Sequence, residues 1–417
     1  MRYFIGLASF EMLAMFRRGL FYAYLSIYLR HYLGLSVTET TLFATLPMLL
    51  NVMAQTFVWG HISDRLQLRR TLIMVGELSA AVGTVVIWFV HRRFMNPTSA
   101  GYAIIFGLTL IEIFWSMSNI SWSALVSDIY SEKERSRIQG RLSSIGGLGR
   151  VAGVWIGGLL YDGKGLQYAG WGFYDGPLFF VAAGVMFVSI VPLFLLPEGG
   201  IQSGQMEAQA DTVQHNPHNY RTIYLVFLIG MVFIHFGRNS IAIIFTQYLT
   251  LDSGLAISSQ TLSYIVNTQS IAIVILGWLA GWICLRIGNT AALLGGTVVA
   301  IIALLLLVFS TALPIIYLSS FLRGVGDAII MTAAYTLASI WIPPKRRARW
   351  FAWFNGTFFL SFGLAGTVIA GPLVDTLIAR GYLPSWAYQM SFAAAAAVTF
   401  GGLIIQIVLL HYISRQR

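Results

Sequence analysis

The sequence predicts an all-α membrane protein with twelve transmembrane helices in two pseudo-symmetric six-helix bundles, and three observations carry that prediction. Of the 417 residues, 57% are hydrophobic and only 10% are charged, where a soluble domain carries about 25% charged residues. Apolar runs of about 20 residues, enough to cross a ~30 Å hydrocarbon core at 1.5 Å per residue, recur along the whole chain. They read as helices, because an open sheet edge finds no hydrogen-bond partner in lipid. Finally, the chain repeats. FRRGLFYAYLSIYLRHYLGLS from Phe16 aligns at an offset of 220 with FGRNSIAIIFTQYLTLDSGLA from Phe236, and GVWIGGLLYD from Gly153 aligns at an offset of 213 with GTVIAGPLVD from Gly366. Two halves in the same orientation form the parallel-repeat plan seen among secondary transporters.

Taken in order, the first span, 4–32, is broken by Glu11, Arg17 and Arg18 and then runs on, which argues for a membrane helix over a cleaved signal peptide. The second and third, 40–61 and 71–91, flank the basic stretch GHISDRLQLRR. The fourth and fifth, 101–127 and 138–161, flank SDIYSEKERSRIQGR, and the sixth, 175–196, ends at the longest polar break, residues 199–221. That break divides the chain into an N-terminal bundle over 1–197, a cytoplasmic linker over 198–220 and a C-terminal bundle over 221–417. The remaining spans, 221–250, 258–284, 290–311, 314–341, 349–374 and 385–413, repeat the order, with SIWIPPKRRARW standing where SDIYSEKERSRIQGR stands in the first half.

The net charge is +10, and 23 of the 26 cations are Arg. In a soluble protein that balance would suggest nucleic acid. Here most cations fall in short loops, so no nucleic-acid partner is expected. With both termini cytoplasmic, the inner segments carry 16 Lys and Arg and the outer loops five, a positive-inside bias that orients the chain. The one cysteine, Cys284, excludes an internal disulfide and a cysteine metal cluster, and the seven histidines form no HExxH. No metal and no cofactor are expected, and without a GxxxxGKS/T loop ATP is not the energy source within this chain.

GHISDRLQLRR resembles the signature loop of the major facilitator superfamily, G-x-x-x-D-R-x-G-R-R/K. Gly60, Asp64, Arg65 and Arg69 carry the match, with Arg70 directly after it; Gln67 stands where the second glycine is usual and Leu68 at the first of the two closing basic positions. The resemblance implies the superfamily fold, a solute transporter, and a cytoplasmic gate built from Gly60, Asp64, Arg65 and Arg69. Asp128, Arg135 and Arg137 of the next basic loop are expected to join it. A purely topogenic basic loop would read the same way. GRVAGVWIGG, Gly149 to Gly158, resembles the glycine-rich motif of the superfamily's antiporters. Val154 replaces its proline and Arg150 intrudes, so antiport is not carried over, and helix packing accounts equally for the glycines.

A charge at bilayer depth costs about 2.5–3.5 kcal/mol even on the lenient insertion scale, so those inside spans ask for a partner or a function. The cations are Arg17, Arg18, Arg150, Arg238 and Arg323; the acids at depth are Glu11, Glu77, Glu112 and Asp327. Glu11, Arg18 and Tyr22 share one face of the first helix, while Arg17 is turned about 100° away. The repeat pairs Arg18 with Arg238 and leaves Arg17 opposite Gly237. Arg18 and Arg238 are therefore expected at the substrate, together with Tyr22, Glu112, Asn119, Asn267, Arg323 and Arg150. Arg323 and Asp327, four residues apart, can neutralise each other on one helix.

Two guanidiniums aimed at one point suit a carboxylate or phosphate between them. The superfamily's glycerol-3-phosphate transporters use a similar arginine pair. The competing reading has Glu11, Glu112 and Asp327 neutralise the arginines and leave a neutral pocket. Proton coupling needs a carboxylate whose charge is controlled by an arginine or by the solute, and Glu11, Glu112 and Asp327 are the candidates. The expected protein is a secondary active transporter of a small solute, working by alternating access, coupled to H+ and monomeric, in the bilayer of a bacterial cytoplasmic membrane. A small organic anion is one candidate solute; proton-driven efflux of lipophilic compounds and a transport-inactive membrane sensor are the alternatives. No convergent nucleophile and base, as an enzyme would need, are visible.

Overall fold

In a computed structural model of the chain, residues 2–130, 132–163, 170–199, 220–341 and 347–415 are described, and among them there is no strand. α1 (Arg2–Ile27) passes through a π turn, Tyr28–Tyr32. The chain then reverses at Gly34, φ 72°, a left-handed conformation that glycine adopts without strain. α2 (Val37–Ala54) starts on a capping box in which Ser36 accepts from the Glu39 N–H and Glu39 accepts from the Ser36 N–H, which satisfies two otherwise orphaned amide donors. A π turn, Gln55–Trp59, carries it into α3 (Gly60–Leu66).

α4 (Arg69–His91), α5 (Pro97–Ile129), α6 (Glu132–Asp162), the short α7 (Trp171–Tyr174) and α8 (Pro177–Leu193) complete the first half. The second half holds α9 (Tyr220–Ser240), α10 (Ile244–Leu249), α11 (Ser259–Ile287), α12 (Asn289–Phe309), α13 (Leu313–Trp341), α14 (Arg347–Ala365), a π turn at Gly366–Ala370, α15 (Gly371–Ala379) and α16 (Pro384–Arg415).

Eight of the described helical stretches are long and apolar enough to cross a membrane, or nine when the two arms of α11, bent by 57°, count as one span. α1, α6 and α8, where the sequence also predicts spans, fall outside that set for identifiable reasons. Glu11, Arg17 and Arg18 interrupt α1, α6 opens on a charged stretch and carries Arg150, and α8 is only 17 residues long.

The chain divides into two compact units, one formed by Met1–Met206 with Leu249–Asn267, the other by Glu207–Tyr248 with Thr268–Arg417. Within the first, α1 packs along α6 and α8, α4 along α5 and α8, and α2 on α5. Within the second, α9 packs along α16 and α14, and α12 along α13 and α16. Its core gathers Tyr224, Phe227, Met231, Ile234, Trp350 and Phe354 around the start of α9. The approach of α6 to α1 is glycine-lined. Gly149, Gly153 and Gly157 on α6 face the carbonyls of Met12, Phe16 and Leu20 on α1, and a Cβ on Gly157 would stand 2.7 Å from the Leu20 oxygen. Small residues let two backbones meet where lipid supplies no hydrophobic drive.

Candidate functional site

The two adjacent arginines of α1 are placed differently. Arg17 is 5% exposed and forms an ion pair of 2.8 Å with Glu77 of α4. Ser118 of α5 donates to the other Glu77 oxygen at 2.9 Å, and the Arg17 guanidinium lies 4.4 Å from the centre of the Trp115 ring. Charge, hydrogen bond and ring together compensate the desolvation of this pair. A cleft of about 10 Å³ beside it is lined by Arg17, Phe21, Tyr22, Thr84, Trp115 and Met186, among others. That is far smaller than the ~300–1,000 Å³ usual for a ligand pocket, and its one cation is already spent on Glu77.

Arg18, one position on, is exposed and closes no ion pair among the described residues. Its charge acts on Glu11 of its own helix, on Tyr22 and on Glu112 of α5. Glu112 is half-buried and accepts a hydrogen bond from the Asn51 side-chain amide of α2. Gln55, one turn further along in the π turn, donates to the Asn51 oxygen at 2.7 Å. The Tyr22 ring stacks on Phe43 and tilts against Trp115. α1, α2 and α5 thus bring together an available guanidinium, a carboxylate held by an amide, and an aromatic wall.

The second unit builds a related group. Arg238 of α9 is 7% exposed and pairs with Asp327 of α13 at 3.0 Å. The other Asp327 oxygen accepts from the Gln269 amide of α11 at 2.9 Å. The i, i+4 spacing had suggested Arg323 as the partner of Asp327. The two do interact electrostatically, but the ion pair goes to Arg238 while the Arg323 guanidinium lies 4.7 Å from the Phe245 ring centre. A helix neighbour four residues away meets Asp327 only at the flank of its own helix, whereas Arg238 reaches it from a packed one.

The other predicted residues scatter. Asn267 is buried and donates to the Val151 carbonyl of α6 at 3.0 Å, which seals a helix contact. Asn119 is half-buried two turns beyond Glu112, and Arg150 is exposed on α6. Glu11 is half-buried, with its side chain against the backbone of Gly146. His235 is fully buried against the edge of Phe358.

Of the expected gate, Arg69 is buried, is bonded to Ser63, and approaches Asp128 at 3.6 Å. Arg70 pairs with Glu198 at 3.0 Å, and Glu198 also accepts from the Thr71 N–H. Arg65 is exposed, and Gly60 begins α3. The side chains of Asp64, Arg135 and Arg137 lie outside the described residues. Gln67 has φ 56° at the C-terminal end of α3. The place where the signature loop usually carries glycine is a left-handed position, and a side chain there costs about 1–2 kcal/mol.

The profile described as Major Facilitator Superfamily matches residues 7–216 and 227–416. The chain belongs to that superfamily. It is an integral multi-pass membrane protein and a transporter of solutes, not an enzyme. Among solved structures, a mutant of the nucleoside transporter NupG shares the fold with a TM-score of 0.76 at 13% identity, covering 98% of this chain and 99% of that one. A bacterial homologue of the human lysosomal transporter Spinster, inward-facing and unoccupied, gives 0.74 at 13% identity over 100% and 98%. A POT family transporter in complex with a thioalcohol-conjugated peptide gives 0.69 at 12% identity over 97% and 96%. No curated protein sequence matches the chain.

In this superfamily member, sequence reasoning missed Asn51, Gln55 and Gln269, which hold the two carboxylates, and Ser118, which completes the Arg17–Glu77 group. The signal was available for two of them. Asn51 and Gln269 stand 218 positions apart, close to the spacing of the internal repeat.

Proposed function

We propose that this chain is a proton-coupled secondary transporter of a small solute bearing an anionic group, working by alternating access. Arg18 would receive the anionic group, and a carboxylate near it would carry the proton. We place twelve spans in two six-helix bundles joined by the 198–220 linker, with both termini cytoplasmic and a single copy at work in a bacterial cytoplasmic membrane. The positive-inside bias supports that orientation.

The observation that carries this reading is the contrast between the two arginines the repeat aligns. Arg238 is matched by Asp327. Arg18 is exposed while its neighbouring carboxylate, Glu112, is engaged by Asn51. An always-charged fork with five donors and no committed acceptor suits a carboxylate or phosphate. The sequence expectation of two arginines clamping one anion becomes a one-arginine site, with Arg238 in a compensated pair. Tyr22, Asn119 and Glu112 complete the wall on this side, and Asp64, Arg65, Arg69, Asp128, Arg135 and Arg137 remain the proposed gate.

The test is uptake into proteoliposomes under an imposed pH gradient, across a panel of organic anions, nucleosides, peptides and lipophilic cations. The expected result is gradient-driven uptake of an anion that Arg18→Ala abolishes. Arg238→Lys, which keeps the pair with Asp327, is expected to retain uptake. Anion uptake undiminished in Arg18→Ala, or uptake indifferent to the gradient, contradicts the reading.

A further inference from the structure

The two units contain the same trio of groups at matching places in the repeat. Arg238 follows Arg18 by 220 positions, Gln269 follows Asn51 by 218 and Asp327 follows Glu112 by 215. Each trio joins an arginine on the first helix of its half to a carboxylate that accepts from a side-chain amide. The two are in different states. Asp327 uses one oxygen on Arg238 and the other on Gln269. Glu112 uses one oxygen on Asn51, and Arg18 stays within electrostatic reach without an ion pair among the described residues.

The surroundings of Glu112 limit what can balance its charge. α1 presents Arg17, Arg18 and Tyr22, α4 presents Glu77, and α2 presents Asn51, itself fixed by Gln55. Arg17 and Glu77 cancel each other across 2.8 Å. Arg18 also acts on Glu11 of its own helix, but Glu11 is not among the charges that act on Glu112, so the balance at Glu112 itself is with Arg18.

We propose that Asn51 is a positioning residue for the joint binding of a proton at Glu112 and an anion at Arg18. While Glu112 is ionised it neutralises Arg18 through space. When a solute anion binds Arg18, Glu112 takes up one proton and stays on Asn51, so the charges Arg18⁺, Glu112⁻ and solute⁻ plus H⁺ become an Arg18⁺–solute⁻ pair and a neutral Glu112. Site charge is zero in both states, and one proton enters with each negative charge. The amide reaches both forms of Glu112 but holds the carboxylate more strongly: its N–H donates to an oxygen in either, and only the bond to the ionised form is charge-assisted. The second trio, with Asp327 already closed on Arg238, shows the paired alternative and is not the carrier.

This inference rests on the proton-coupled reading above, and its test needs no identified solute. pH-difference infrared spectra of the full chain in liposomes report carboxyl groups that gain a proton. The component assigned to Glu112 is the part of the titrating C=O absorption that Glu112→Gln removes, and it is expected in the wild type and in Asp327→Asn alike. In Asn51→Leu the midpoint of that component is displaced by about one pH unit, the size of a lost hydrogen bond to a charged group. Asn51→Ser, which keeps a donor, moves it less and serves if the leucine variant does not fold. The proposal is overturned if Glu112→Gln removes no component from the titrating absorption, or if the component's midpoint is unmoved in both Asn51 variants. Uptake that ignores a pH gradient would instead sink the parent reading. Gradient-driven uptake with an unmoved midpoint would sink this one alone.

Discussion

Arg17 and Arg18 differ in what surrounds them, and the difference has a measurable cost. Arg17 is locked against Glu77, Ser118 and Trp115, so removing Glu77 leaves a buried cation alone. Removing one partner of such a pair costs about 3–5 kcal/mol, while replacing both by apolar groups of similar volume is often neutral. Glu77→Gln is expected to lower the thermal midpoint in detergent markedly, and the double variant Arg17→Met with Glu77→Met to recover most of it. A Glu77→Gln protein as stable as the wild type would mean that the pair is incidental. None of this was legible beforehand, because helical periodicity sorts residues on one helix and is silent about a partner 60 positions away. The repeat could rank Arg18 above Arg17 as the residue with a counterpart. It could not supply Glu77, nor show that Asp327 turns to Arg238. Uncharged amides such as Asn51 and Gln269 carry too little insertion penalty to stand out in an apolar run.

At the scale of elements, the long apolar helices were legible from hydropathy and the breaks between them from turn residues. Asn289–Phe309 lies within two residues of the expected 290–311. The polar helices were harder, because charge and glycine dilute the very signal that marks a span. α6 is the case in point. Its glycines, ambiguous in sequence between an antiporter motif and packing, are the surface on which α1 lies. Gly157→Leu would drive a side chain into the Leu20 carbonyl and the Tyr24 ring, and overpacking of this kind costs about 1–3 kcal/mol. The expected outcome is a lowered thermal midpoint in detergent for Gly157→Leu and little change for Gly184→Leu, where an added Cβ meets nothing within 4 Å. Equal effects at the two positions would remove the packing role. Gln67 shows the reverse case. A mismatch to the signature loop marks a left-handed backbone position that the chain occupies without glycine.

For the whole molecule, duplication is the feature from which the account follows, and it was visible in sequence through two gapless alignments. What sequence could not supply was the grouping of Leu249–Asn267 with the first unit. There the Ser259 hydroxyl lies 2.6 Å from an Asp162 oxygen and 2.7 Å from the Gly158 carbonyl, with one proton to share between these two acceptors, and Asn267 donates to Val151. These contacts join positions about 100 residues apart, and no local pattern announces them. Duplication also frames the functional claim, since the same three groups recur with one arginine paired and the other available. The claim that proton and solute move together through the first trio is tested most directly by lumenal pH in proteoliposomes loaded with an impermeant pH dye. Addition of an anion that the wild type takes up is predicted to acidify the lumen, and Glu112→Gln to abolish the acidification. Solute entry with an unchanged lumenal pH, or acidification that persists in Glu112→Gln, would contradict the account.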